Sequence, residues 1–149
     1  MKIEQIAVQL YTLRDFTENP FDFAATMKRV REIGYHAVEL AGTAGLAPVE
    51  AVKIVRDAGL QICSSHEAAE MILDQPQQVV DRMGELGISH AVYAYPDGVD
   101  LSDAVQVDRL IAGLDAAGAV LRRAGMTLCY HNHALEYFQR DGSTVLDDI

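Results

Sequence analysis

The chain has 149 residues, half of them hydrophobic, with 22 acidic against 12 basic side chains and a formal net charge of −10. This length reads as a single domain over residues 1–149, without an internal linker and with apolar content enough for its own core. The acidic excess repels phosphate backbones and anionic lipid, so nucleic acid and membrane are set aside as partners, and no apolar run is long enough to cross a bilayer.

The first element in chain order is an apolar strand from Ile3 to Leu10, followed by the polar group Gln9, Tyr11, Thr12 and Arg14. Asn19 and Pro20 then supply an N-cap and a first helical position. The helix runs to Ile33, with Phe23, Met27, Val30 and Ile33 on one stripe. A second strand covers 35–40, and Pro48 opens a helix that ends at Ala58 before Gly59. A third strand, 60–64, finishes in Ser64, Ser65 and His66. Helix 76–86, strand 88–95 and a long helix 102–124 follow, and then a fifth strand at 126–130. The last residues read as the opening turns of another helix capped by Ser143, with Asp147 and Asp148 on its solvated face.

One pattern occurs four times: a helix ends on Gly34, Gly59, Gly87 or Gly125, and a strand begins at once. Glycine is the residue that most readily takes the left-handed conformation closing a helix. Spacings of about 25 to 38 residues suit βα units, so the expected fold is α/β with a parallel sheet. A doubly wound sheet and a barrel both satisfy that alternation. The dinucleotide fingerprint is missing after strand one, where residues 9–14 read Gln-Leu-Tyr-Thr-Leu-Arg. Polar residues at successive strand ends (Gln9 and Tyr11, Glu39, His66, Tyr95, then His131 and His133) favour the TIM-barrel arrangement, whose active-site rim is built there.

The stretch 126–136, Met-Thr-Leu-Cys-Tyr-His-Asn-His-Ala-Leu-Glu, carries the densest chemistry. Side chains two apart in a strand share a face, so His131 and His133 project together, with Glu136 three residues further on. Two imidazoles and a carboxylate are ligand types for a divalent metal. His131 is the first choice of ligand. His133 is either a second ligand or a hydrogen-bond donor to substrate or to structure. Glu136 is either the site's carboxylate or a solvent-facing loop acid. Glu39, a charge in the apolar run 37–40, calls for a partner or a ligand. His36 and His90 start strands and are given no catalytic role. Cys63 and Cys129 form no C-x-x-C pair and read as small buried hydrophobes. With an acid at Glu4 where an apolar leader would begin, the expected location is the cytoplasm.

Four segments carry a resemblance: 8–14 (Val-Gln-Leu-Tyr-Thr-Leu-Arg), 33–40 (Ile-Gly-Tyr-His-Ala-Val-Glu-Leu), 60–66 (Leu-Gln-Ile-Cys-Ser-Ser-His) and 128–136. In order, they resemble the sugar phosphate isomerase/epimerase family of xylose isomerase-like TIM barrels. The resemblance implies a divalent metal (Mn, Mg, Co or Zn) and proton transfer beside the carbonyl of a sugar or keto-sugar through an enediolate. It places His131 and Glu136 in catalysis, His131, His133 and Glu136 on the metal, and Gln9, Tyr11, Glu39, His66 and His133 around substrate. Many relatives carry Glu-Asn-His at the end of strand five, where this chain has His131, Asn132 and His133. A full barrel needs about 250 residues. The expectation is therefore a truncated barrel with about five of eight βα units, which self-associates as a homo-oligomer through its open edges. The alternatives are a metal-dependent hydrolase using the strand-end His-x-His pair and a non-catalytic sugar-binding or interaction remnant.

Overall fold

A computed structural model describes residues 2–140 and 142–149. Five strands alternate with helices: β1 (Ala7–Gln9), β2 (Ala37–Leu40), β3 (Gln61–Glu67), β4 (His90–Tyr93) and β5 (Thr127–Tyr130). Between them lie α1 (Pro20–Ile33), α2 (Pro48–Asp57), α3 (Ala69–Asp74), α4 (Pro76–Leu86) and α5 (Ala104–Arg123). The strands are parallel, and their order in the sheet is their order in the chain. A doubly wound sheet would reverse that order at a switch point. Sequential order is the arrangement of a barrel wall.

The four glycine signals act as the sequence implies. Gly34, Gly59, Gly87 and Gly125 have φ of +113°, +78°, +63° and +74°. After each one the next amide reaches back across the helix end: Tyr35 to Val30 O, Leu60 to Val55 O, Ile88 to Met83 O and Met126 to Leu121 O. This is the Schellman closure, which satisfies carbonyls left over at the helix terminus.

The chain divides into two compact units, one of residues up to His66 with Arg82–His90, the other of Glu67–Asp81 with Ala91–Ile149. In the first unit, Asn19 caps α1 by accepting from the amides of Phe21 and Asp22, each at 3.1 Å. The helix buries Phe23, Met27 and Val30, whereas Ile33, in its last turn, is 70% exposed and leaves the stripe. Arg56 of α2 donates to Leu86 O at the end of α4, 2.8 Å away. An arginine in one repeat thus serves a helix terminus of a later one. β1 is shorter than expected, because Ile3–Gln5 and Leu10–Phe16 coil into 3-10 turns on either side of it.

In the second unit α3, which the sequence did not signal, packs against α5. α5 starts one residue after Asp103, which accepts from the Val105 amide at 2.9 Å. Leu101, Val107 and Val145 form a buried cluster with Val99, Ile111, Leu135 and Ile149 around it. An antiparallel pair, β6 (Gln139–Arg140) and β7 (Ser143–Thr144), precedes the short helix α6 (Val145–Asp148). Thr144 rather than Ser143 caps α6, accepting from the Asp147 amide. Asp147 and Asp148 are exposed, as expected of a solvated face, and also make contacts. Asp147 accepts from the Thr144 amide and hydroxyl, and Asp148 lies 3.6 Å from Arg140.

Candidate metal centre

In the first unit the site is set by strand register. β1 and β2 pair without interruption, placing Gln9 opposite Glu39. β2 and β3 do not: Val38 faces Ile62, but the next residue, Glu39, faces Ser64. Cys63 is the extra residue of a β-bulge. Strand side chains alternate, so a one-residue offset exchanges the two faces of everything beyond it. Without the bulge Ser64 and His66 would share the face of Val38 and Leu40, which is buried. With it they join Glu39.

The resulting contacts are short. Ser64 Oγ donates to Glu39 Oε2 at 2.6 Å, and His66 Nε2 lies 2.9 Å from Glu39 Oε1. The side chains of His66 and Glu39 are 15% and 20% exposed, enough to shield the pair yet leave it reachable. Glu39 thus sits between Ser64 and His66. The serine hydroxyl is turned to the carboxylate, which is not the order of a serine hydrolase triad, where the histidine must face the serine. Cys63, expected to be buried, is exposed. Its thiol donates to Val38 O at 3.3 Å, where the bulge interrupts the ladder.

In the second unit β5 delivers His131 and His133. The His131 amide donates to Tyr93 O at 3.0 Å, holding the strand end against β4. The two imidazole rings are 4.8 Å apart, and the Tyr95 ring meets His133 edge-on at 5.2 Å. Glu136 is fully buried rather than solvent-facing. One of its oxygens accepts from the Tyr130 hydroxyl at 2.9 Å and the other from the His133 amide at 2.6 Å. It ties the 3-10 turn Leu135–Tyr137 back onto the end of β5. The Tyr130 ring stacks on Tyr93 at 5.6 Å. Burial, then the Glu136 hydrogen bond and charge, push the Tyr130 hydroxyl far above the ordinary tyrosine range. Two buried polar atoms, His133 Nδ1 and the Tyr93 hydroxyl, have no hydrogen-bond partner.

Candidate ligands fall in both units: in the first, His66 Nε2 lies 2.9 Å from Glu39 Oε1, and in the second, the His131 and His133 rings are 4.8 Å apart. Glu136, expected on the metal, has both oxygens engaged with the end of β5. Glu39 and His66, expected only around substrate, pair with each other. Gln9 shares the register of Glu39. Tyr11 lies in the 3-10 turn after β1, 59% exposed, with the Arg14 guanidinium 4.8 Å above its ring. His36 Nδ1 lies 3.2 Å from Arg31 Nη1, and His90 Nδ1 lies 3.0 Å from Ser89 Oγ. Ser64 was passed over in the sequence because its place beside Glu39 depends on the bulge.

No family model matches the chain, and no curated protein matches it. Solved structures do. The chain is similar to a sugar phosphate isomerase/epimerase from Parabacteroides distasonis, with a TM-score of 0.74 and 21% identity over 95% of this chain and 59% of that one. It is similar to an L-ribulose 3-epimerase (TM-score 0.57, 17% identity, 83% of this chain and 48% of that one). It is also similar to an AP endonuclease, family 2, from Brucella melitensis (TM-score 0.60, 14% identity, 83% and 53%). The chain therefore spans about half the length of the proteins it matches. At these identities what is shared is the fold. It is an α/β protein with five parallel strands alternating with helices, and the structures it is similar to are TIM barrels.

Proposed function

We propose that the protein acts as a metal-dependent sugar isomerase or epimerase, moving a proton beside the carbonyl of a sugar or keto-sugar. The observation that carries this reading is the presence of strand-end carboxylate and imidazole donors, Glu39 paired with His66 in one unit and His131 beside His133 in the other, on a fold also found in sugar isomerases and epimerases. Carboxylate and imidazole donors suit Mn, Co or Zn better than Mg, which prefers oxygen ligands and bound water. When bound, a divalent ion supplies Lewis-acid polarisation of the substrate carbonyl.

The chain's own residues supply the rest. Ser64 fixes the orientation of Glu39 by donating to Oε2. Glu136 holds the turn that carries His133. His133 Nδ1 is buried with no hydrogen-bond partner among the described residues, and the His131 and His133 imidazoles are the proton-transfer groups of this reading. In this reading Gln9, in register with Glu39, binds a sugar hydroxyl. β1 pairs with β2 alone among the described strands, an open edge that supports a homo-oligomer.

A metal-dependent hydrolase is the second reading, favoured by the same donor types and by the endonuclease among the fold's relatives. The net charge of −10 opposes a nucleic-acid substrate. The deciding experiment incubates the protein with manganese and fructose in deuterated water. Metal-dependent exchange of hydrogen at the carbon beside the carbonyl is expected. Phosphodiester or ester hydrolysis without that exchange would transfer the reading to the hydrolase.

A further inference from the structure

The second unit holds a cleft that the metal centre does not use. It has a volume of about 540 Å³, and its walls include Tyr95, Asp100, Ser102, Leu135, Tyr137 and Phe138. Its two walls are the segments that follow β4 and β5, so it opens at the carboxyl ends of strands, where barrel enzymes bind their substrates. Three of its rings lie bare: Tyr95 is 50% exposed, Tyr137 59% and Phe138 49%. Large aromatics left in water beside a polar edge mark a contact surface.

The polar edge has one sense. Ser102 donates both its amide and its hydroxyl to Asp100 Oδ1, at 2.9 and 2.7 Å. Those two bonds hold the Asp100 carboxyl below the usual aspartate range. Asp100 lines the cleft, so a ligand there meets an ionised acceptor and must bring donors. The histidines lie behind one wall of the cleft: the Tyr95 ring that lines it meets the His133 ring at 5.2 Å, and His133 lies 4.8 Å from His131.

We propose that this cleft is a second sugar subsite, receiving the distal ring of a keto-sugar that carries another saccharide, while the keto end lies at the histidines. A pyranose ring has the matching chemistry. Its C–H face packs on Tyr137 and Phe138, and its hydroxyl edge donates to Asp100. This inference rests on the isomerase or epimerase reading and extends it to a disaccharide-like substrate.

The test is a calorimetric titration of the 149-residue protein with fructose and with isomaltulose, a ketose bearing a second glucose ring, with manganese present. Isomaltulose is expected to bind about tenfold more tightly than fructose, the worth of one or two good aromatic contacts. Tyr137→Ala and Asp100→Asn are expected to abolish that difference while leaving fructose and manganese binding unchanged. Equal affinity for the two sugars, no binding of either, or a preference that survives Tyr137→Ala would overturn the subsite. So would choline binding more tightly than isomaltulose, since the rings and the carboxylate would then form a cation site. The manganese titration without sugar reads the metal centre separately. If manganese binds and the disaccharide preference is absent, the subsite alone fails.

Discussion

Glu39 Oε1 lies 2.9 Å from His66 Nε2 because β3 carries one residue more than β2 at the Val38–Glu39 step. The bulge at Cys63 brings His66 onto the face of Glu39, and Ser64 follows to donate to the other carboxylate oxygen. A site that depends on one inserted residue is sensitive to its donors in a graded way.

That gradation is the first prediction. Glu39→Gln and His66→Ala each remove a candidate ligand, and manganese affinity is expected to fall by more than the roughly 10–100-fold that an outer partner costs. Ser64→Ala removes only the group orienting Glu39 and should fall inside that range. Electron paramagnetic resonance titration with manganese reads all three. Unchanged affinity in Glu39→Gln would remove the carboxylate from the site.

Glu136 is expected to matter for stability as much as for function. Glu136→Ala leaves the Tyr130 hydroxyl and the His133 amide without their acceptor. Each orphaned buried donor costs about 1–3 kcal/mol, so urea unfolding should show a loss of roughly 2–5 kcal/mol. Glu136→Gln keeps an acceptor for His133 and a donor that the Tyr130 oxygen can accept, and should cost less. Equal losses in the two variants would mean that packing, and not these bonds, sets the effect.

Tyr130 predicts a weakness at high pH. Its hydroxyl titrates far higher in the folded protein than in the unfolded chain, chiefly through burial and then through Glu136. A raised folded pKa means that the native state holds the proton more tightly. The associated stability is complete below the ordinary tyrosine pKa of about 10 and is lost as pH rises towards the folded value. Denaturation between about pH 9 and 11.5 should therefore steepen with pH, and Tyr130→Phe should flatten the curve. Ultraviolet titration of tyrosinate should show at least one fewer group ionising in that window than the unfolded protein does, since burial raises Tyr93 as well.

Two glycines are expected to respond in opposite ways to alanine. Gly87 has φ +63°, and a Cβ there would stand 3.2 Å from the Arg56 Nη2 atom that bonds Leu86 O. Gly87→Ala should cost about 1–2 kcal/mol. Gly118 lies within α5 with open space around its would-be Cβ, so Gly118→Ala should gain roughly 0.5–1 kcal/mol. Thermal unfolding of the two variants gives the signs directly.

Self-association is the last expectation. Among the described strands β1 pairs with β2 alone, and unpaired strand edges recruit other strands. Light scattering should show a concentration-dependent dimer or larger species. Replacing Val8 with proline, which removes a backbone donor from β1, should change that equilibrium. A monomer at all concentrations would leave the edge without a role in assembly.

The sequence by itself determined the order of elements, because its signals are local. Glycine after each helix needs nothing but its own backbone freedom to close the turn, and Asn19 caps α1 with atoms two and three residues away. His131 was legible for the same reason, as one of a pair at i, i+2 on a strand end. What only the tertiary structure decided is which of these groups meet. Glu136 looks like a loop acid until the turn at Leu135–Tyr137 folds it back onto Tyr130. Glu39 and His66, 27 residues apart, face each other only through the pairing of β2 with β3 and the extra residue at Cys63. A bulge is a property of two strands in register, and no single strand's alternation encodes it.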